Sequence, residues 1–136
     1  MTTAAELHAA VWAALDALPT VTAYDGDVPT KPPADVSGRV YPYAVLWPSP
    51  GGSPAEAAAA GNRGLDWTCQ VTVAAGTTAW LLRAVDVVRA AVVGIVVSDG
   101  DGPITDETPR SMTVQRDEDV TPPRMFVPLL FGALTA

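Results

Sequence analysis

Two short acidic turns contain the residues whose types and spacing are most suggestive of chemistry. Residues 25–27, Asp-Gly-Asp, stand inside the stretch YDGDVPTKPP, and residues 99–102, Asp-Gly-Asp-Gly, follow a long apolar run. Closely spaced carboxylates occur in calcium loops, and glycine-rich turns can cradle phosphate. The first turn therefore raises the question whether it holds a ligand or only bends the chain before an extended segment.

Neither turn fits a known metal or phosphate motif. An EF-hand loop beginning at Asp25 requires glycine at its sixth position and glutamate at its twelfth, where Thr30 and Val36 stand. A loop beginning at Asp99 fails at the same two positions, and Thr105 replaces the third glycine of a dinucleotide motif. We interpret both segments as turns and predict no metal ion and no cofactor.

Nucleophilic catalysis has few candidate residues. His8 is the single histidine, and it is predicted at a solvated or boundary position of a helix. Cys69 is the single cysteine, and it alternates with apolar residues, which predicts a small buried side chain and not a thiolate. A Cys–His pair stays open as an alternative, and so does a paired-carboxylate site. The carboxylates available for such a site are Asp25, Asp27, Asp99, Asp101, Asp106 and Glu107.

The composition favours one domain without disulfide bonds, spanning residues 1–136. The formal net charge is −7, and Lys31 is the only lysine. Such a balance disfavours binding to nucleic acid or to anionic membranes. One cysteine excludes an intramolecular disulfide, and the apolar runs are too short and too interrupted to cross a bilayer.

Helical periodicity predicts two helices. Thr3 begins a Thr-x-x-Glu capping box, and the first helix spans about residues 4–18. Thr77 or Thr78 caps the second helix, which ends near Gly94. One apolar stripe runs along each helix, formed by Leu7, Val11, Leu15, Leu18, Leu81, Val85, Val88 and Val92.

Six strands complete the prediction. Alternation over residues 65–73 indicates a strand with one buried face, whereas the wholly apolar residues 43–47 indicate a strand covered on both faces. Pro128 predicts a bulge or an edge position in the last strand. The other predicted strands are residues 21–24, 104–107, 111–116 and 124–134. The order α-β-β-β-α-β-β-β predicts an α+β domain, in which a mostly antiparallel sheet packs with two helices.

Five short motifs resemble one family of virion proteins. They are YDGDVP at 24–29, PYAVLWP at 42–48, DWTCQVTV at 66–73, AVDVVRAA at 84–91 and RDEDVTPP at 116–123. Together with the N-terminal helix, this layout resembles the tail terminator (tail-completion) family of long-tailed phages, in the form found in phages of actinobacteria. Cys69 departs mildly from the pattern, since a larger apolar residue is expected there.

The resemblance implies a structural virion protein and not an enzyme. Members of the family form a ring, usually of six subunits, on the head-proximal end of the tail tube. The ring ends tube polymerisation and provides the joining surface for the head. The implied partners are further copies of the chain, the tail tube protein and the head–tail connector protein, while DNA only passes through the lumen. The implied location is the virion tail, assembled in the host cytoplasm, with no cofactor and no membrane.

Three segments are predicted to make the subunit and tube contacts: the proline arm at 27–34, the loop at 48–64 and the acidic tip at 117–123. A proline-stiffened arm loses less entropy on docking, and acidic residues lining a channel would repel passing DNA. The candidate contact residues are Asp27, Val28, Pro29, Lys31, Pro32, Pro33, Arg63, Asp117, Glu118, Asp119, Pro122, Pro123 and Arg124.

Three other functions remain open on the sequence. A head-side connector, acting as adaptor or stopper, would use the same kind of ring. A small enzyme would depend on a carboxylate cluster, and a monomeric binding module would present its acidic surface to a basic partner. Trp12 and Trp80 lie off the main helical stripes, so each is expected either in a second packing face or in a subunit contact.

Overall fold

The computed structural model describes residues 1–53 and 64–136. The described chain contains two helices, α1 (Ala4–Asp16) and α2 (Thr78–Val92). The strands are β1 (Thr22–Asp25), β2 (Tyr43–Trp47), β3 (Asp66–Ala75), β4 (Thr105–Asp106), β5 (Gln115–Asp117) and β6 (Arg124–Leu134). This order confirms the predicted α+β architecture.

The six strands form one mixed sheet in the order β1-β2-β3-β6-β4, and β5 also pairs with β6. Only β1 and β2 run parallel, with Thr22 opposite Tyr43. All other pairs in the described chain are antiparallel. The long strands β3 and β6 pair along their whole length and form the centre of the sheet.

Side-chain caps fix the starts of both helices. The Thr3 hydroxyl accepts from the Glu6 amide while the Glu6 carboxylate accepts from the Thr3 amide, so the predicted capping box is present. α1 ends at Asp16, two residues before the predicted end. Thr77 caps α2, and Gly94 follows the helix with a φ of 93°, a conformation that favours glycine.

Both helices pack on one face of the sheet and enclose the larger core there. The predicted helical stripes are buried in this core, except that Leu18 is half-buried. β3 contributes Trp67, Cys69, Val71 and Val73, the four buried positions of its predicted alternation. The prediction of one buried face for this strand is therefore confirmed.

The opposite face of the sheet, which we call the second face, carries a smaller core. Tyr43 and Val45 of β2 are buried there beside Ala74, while the intervening residues of β2 point into the larger core. β2 is thus covered on both faces, as its apolar sequence predicted. No helix of the described chain packs on the second face, so connecting segments must cover it.

Pro128 lies inside β6 without a bulge, because the register with β3 is unbroken on both sides of the Thr72–Pro128 pair. Two residues later, the Leu130 carbonyl accepts a hydrogen bond from the Glu107 amide, and the Leu130 amide donates to the Thr108 hydroxyl. The backbone groups of Leu130 therefore face the β4 side. Since alternate residues of a strand direct their amides to the same side, the missing amide of Pro128 faces the gap between β4 and β5. The proline therefore occupies a local edge, one of the two predicted alternatives.

The predicted strand at 111–116 is wrong in position. The Met112 amide donates to the Pro109 carbonyl at 3.0 Å, which forms a turn where pairing was expected. Strand pairing begins only at Gln115. Met112 packs against the core as predicted, but Val114 is exposed.

Residues 26–42 form the connection between the two parallel strands. Parallel neighbours require a crossover that returns the chain to the starting end of the sheet. In this chain the connection at 26–42 contains no helix and includes the proline arm. Prolines keep such a segment extended and remove amides that would otherwise pair with the sheet. The stretch YDGDVPTKPP therefore has a structural role as the first half of the crossover.

Candidate docking surface

The acidic side chains of the turns do not converge. Asp25 belongs to β1 and Asp106 to β4, which lie at opposite ends of the strand order. In the described part of the chain, no three His, Cys, Asp or Glu side chains are grouped closely enough to hold a metal ion. These positions give no support to a carboxylate pair formed by Asp25 and Asp106.

Asp101 holds parts of the chain together that are distant in sequence. Its carboxylate accepts hydrogen bonds from the Thr2 hydroxyl, the Ala136 amide and the Ser98 amide. The hydrogen bond from Thr2 is the largest influence that lowers the pKa of Asp101, followed by that from Ala136. This aspartate therefore has a structural role in the turn at 99–102.

Asp106 is engaged in a similar way. Burial alone would raise the pKa of Asp106, but hydrogen bonds from Thr108 and the charge of Arg89 outweigh it and lower the pKa. Nε of Arg89 lies 2.7 Å from Oδ2 of Asp106, although the N–H group is not aligned for a hydrogen bond. We regard the contact as an ion pair that joins α2 to β4.

His8 and Cys69, the two candidate catalytic side chains, lie in separate environments. His8 is half-buried, a boundary position as predicted, with Nε2 2.8 Å from Oδ1 of Asp25. Cys69 is buried in the core, where burial raises the pKa of its thiol to about 12, with a smaller contribution from Glu107. A thiol with that pKa is protonated at neutral pH, which supports its prediction as a small apolar residue.

The proline arm is only partly free for docking. Pro32 is buried, and the Pro33 carbonyl accepts from the Tyr41 amide at 3.0 Å. The first half of the arm is more exposed: Asp27, Val28, Thr30 and Lys31 face solvent, and Pro29 is half-buried. A deletion of residues 29–34 would therefore disturb the fold as well as any docking, and substitution of exposed residues is the sharper test.

A short hairpin extends from the crossover at residues 34–40, closed by the bridge between Ala34 and Val40. Asp35 fixes its turn, because its carboxylate accepts from the Ser37 and Arg39 amides and from Nε of Arg39. The backbone hydrogen bond from Arg39 is the main cause that lowers the pKa of Asp35. Val36 at the turn is fully exposed, with a relative exposure of 107%.

An aromatic stack borders this hairpin. The rings of Tyr41 and Trp80 are stacked with centroids 5.8 Å apart, and the Arg39 guanidinium lies 5.4 Å from the Trp80 centroid. Trp80 and Tyr41 also line a groove of about 620 Å³ whose walls include Pro42 and Val87. Trp12 and Trp80 are both half-buried and pack against the main core, and Trp80 also borders the surface groove.

The acidic tip at 117–123 lies between β5 and β6. The Asp117 carboxylate accepts from the Asp119 amide at 3.2 Å, and Arg116 forms an exposed ion pair with Glu118 at 2.9 Å. Asp119 and Pro123 are exposed, while Pro122 is half-buried. The tip is thus a solvated turn with its own internal hydrogen bond.

Arg124 is buried, as Pro32 is, but it carries a charge, and its relative exposure is 7%. Nη1 of Arg124 donates to the Tyr43 hydroxyl at 3.0 Å, and Nε donates to the Pro122 carbonyl at 3.4 Å. The guanidinium also lies 5.9 Å from the centre of the Tyr43 ring. Sequence reasoning placed Arg124 in the contact surface but gave no signal of its burial.

The arm and the tip meet at one cavity on the second face of the sheet. The cavity has a volume of about 210 Å³ and is bordered by Val28 of the arm, by Asp117 and Val120 of the tip, and by Arg124. Its floor is formed by Tyr43, Val45, Thr72, Ala74 and Phe126. Two predicted contact segments, distant in sequence, are therefore neighbours in the fold.

The loop at 48–64 is described only in part. Gly52 exchanges two backbone hydrogen bonds with Asp66, and the Ser49 carbonyl accepts from the indole of Trp67. These bonds fix residues 48–53 against β3. Arg63, the candidate contact residue of this loop, lies outside the described residues.

No known protein family and no curated protein sequence matches this chain. Within residues 1–53 and 64–136, no helix has the length and apolar character needed to span a membrane. Function must therefore be argued from the surface itself.

Proposed function

We propose that this chain is a structural virion protein that caps the head-proximal end of a phage tail tube as a ring. In this role it ends tube polymerisation and provides the surface to which the head joins. The partners are other copies of the chain, the tube protein and a connector protein. The resemblance of five sequence motifs to tail terminators suggests this function, and the surface described above supports it.

The observation that carries the proposal is the convergence of the arm and the tip at the cavity on the second face. The two helices occupy one face of the sheet, whereas the arm and the tip meet on the second face, where no helix of the described chain packs. A capping subunit must match an open annular surface without presenting the same surface again. Segments that project from only one face of a sheet let a subunit bind the tube through that face without offering the same surface on its other face.

Charge is consistent with a ring around DNA. The chain carries 15 acidic and 8 basic residues, and the tip adds exposed carboxylates at Glu118 and Asp119. Acidic side chains that face a channel repel the phosphate backbone and keep DNA from adhering during passage. In the proposed ring, the tip is the segment best suited to face the lumen.

Electron microscopy of tails made with and without this chain tests the proposal. We expect overlong tubes of variable length in its absence and tubes of uniform length in its presence. Tails of uniform length in both preparations would contradict the function. Co-sedimentation distinguishes a head-side connector, which would follow filled heads, from a terminator, which follows tails.

A further inference from the structure

Arg124 is a buried charge that forms no ion pair with any described residue. Its guanidinium has five N–H donors, and the described chain provides the Tyr43 hydroxyl and the Pro122 carbonyl as acceptors. Among the described residues, no carboxylate oxygen lies within 4.0 Å of Arg124. Buried charges in proteins are normally paired, since an unpaired charge loses its hydration without compensation.

The cavity of about 210 Å³ lies next to this guanidinium. Apart from Arg124, Asp117, Thr72 and the Tyr43 hydroxyl, its lining is apolar. A volume of about 30 Å³ per water implies that the cavity holds roughly seven waters, which is more than enough space for one carboxylate side chain. An aliphatic stem ending in an anionic group fits both the apolar walls and the arginine.

We propose that this cavity receives a carboxylate side chain from a second copy of the chain, which pairs with Arg124 on assembly. The inference rests on the ring function proposed above and names the chemistry of its subunit contact. A planar guanidinium matches a carboxylate with two parallel hydrogen bonds, a geometry that lysine does not offer. Arg124 is then a specificity-determining residue of the interface.

The charge of the chain supports a second copy as the source of the carboxylate. Acidic residues outnumber basic ones by 15 to 8, so the surface that a neighbouring copy presents is rich in carboxylates. Complementary charge across an interface fixes its register and excludes other partners. In a closed ring every subunit places the same surface against the cavity of the next, so all cavities are filled together.

Asp117 of the same chain also borders the cavity. Its carboxylate accepts from the Asp119 amide within the tip and lies more than 4.0 Å from the guanidinium. Asp117 stands directly opposite Arg124 in the β5–β6 pair, so the two side chains lie on the same face of the sheet. In the structure the hydrogen bond from the Asp119 amide holds this carboxylate in the tip, and the guanidinium is left for a carboxylate that enters the cavity from outside.

Sedimentation equilibrium of the full chain and three variants tests the inference. Arg124→Met keeps the length and apolar stem of the side chain without its charge, and Arg124→Lys restores the charge without the planar fork. We expect Arg124→Met to weaken self-association by at least about tenfold and Arg124→Lys to recover part of the loss. Arg116→Met is the matched control, because Arg116 is exposed and lies on the paired strand β5. It should change association by less than about threefold.

A nuclear magnetic resonance titration of the wild-type chain covers the case in which Arg124→Met does not fold. Sodium acetate, compared with sodium chloride at equal ionic strength, should shift the Nε resonance of Arg124 but not that of Arg116. Equal association of wild type and Arg124→Met, including no association by either, would contradict the proposal. A resonance shift with inorganic phosphate but none with acetate would also contradict it.

The tube-capping assay separates this inference from the proposed function. If Arg124→Met caps tubes as well as the wild type, the inference is wrong and the ring function stands. If the wild-type chain has no effect on tube length, the ring function is wrong. The sedimentation comparison then still decides whether Arg124 supports self-association.

Discussion

Gly76, which follows β3, lies against the backbone of Val40 at the base of the 34–40 hairpin. Its amide donates to the Val40 carbonyl at 2.8 Å. A Cβ atom at position 76 would lie only 2.5 Å from the Val40 nitrogen and 2.9 Å from the Arg39 Cα. The hairpin is therefore held on the end of β3 by an approach that glycine permits and a larger residue does not.

This contact predicts that Gly76→Ala destabilises the fold. The clash is with backbone atoms, which cannot move aside as a flexible side chain would, so we expect a loss of about 1–3 kcal/mol. Urea denaturation followed by tryptophan fluorescence measures the change. Gly52→Ala is the control, because a Cβ there meets nothing within 4 Å, and it should stay within about 0.5 kcal/mol of wild type. Equal stability of the two variants would show that the hairpin is not held as described.

Cys69 is predicted to be inert in the folded protein. Burial raises the pKa of its thiol to about 12, and only a thiolate reacts rapidly with disulfide reagents. Ellman's reagent at about pH 8 should therefore modify Cys69 only through unfolding, at a rate that rises steeply with urea. Fast modification in the absence of urea would contradict the burial of this side chain. Cys69→Ser is the blank for the assay.

Much of the fold follows from local sequence patterns. Alternation at 65–73 and the helical stripes each have one period, which corresponds to one kind of element, and the short apolar run at 43–47 between turn residues indicates a buried strand. The turn of the 34–40 hairpin also had a local signal, since Asp35 and Gly38 are turn-forming residues. The predicted arm ends at residue 34, and no turn was predicted for the residues that follow it.

The features that sequence reasoning missed depend on distant contacts. The parallel pairing of β1 with β2 joins Thr22 to Tyr43 across the crossover, and no local pattern specifies that direction. Arg124 is buried because its partner Tyr43, 81 residues away in sequence, lies beside it. The error at 111–116 is instead local: alternation of apolar residues predicted a strand, but the hydrogen bond from the Met112 amide to the Pro109 carbonyl forms a turn there.

The pH dependence of stability should include a contribution from Asp101. Hydrogen bonds from Thr2 and Ala136 lower the pKa of Asp101 in the folded state. A lowered folded pKa means that the stabilisation is fully present above the unfolded value of about 3.9 and is lost as pH falls through the folded value. Asp101→Asn should therefore be less stable than wild type near pH 7, and the difference should shrink below about pH 4.

Denaturation midpoints at several pH values between about 7 and 3 measure this effect. Asp99→Asn is the matched control, because Asp99 lies in the same turn and its carboxylate accepts no hydrogen bond from the described residues. We expect its midpoints to follow those of the wild type throughout. A difference between Asp101→Asn and wild type that persists unchanged at the acidic end would contradict the linkage.

The hairpin tip at Val36 provides the most direct test of the docking surface. Val36 is fully exposed, so Val36→Asp removes no packing and should leave the free energy of unfolding within about 0.5 kcal/mol of wild type. Asp35 holds the turn in one conformation, which lowers the entropy lost when a partner binds. If the tip enters an apolar site on a neighbouring subunit or on the tube, a carboxylate there loses its hydration, and capping should fall at least about tenfold.

Val96→Asp is the control, since Val96 is also exposed (52%) but lies after α2, away from the hairpin. Tube length in the presence of each variant is the measurement, and equal capping by the two variants would remove the hairpin from the docking surface.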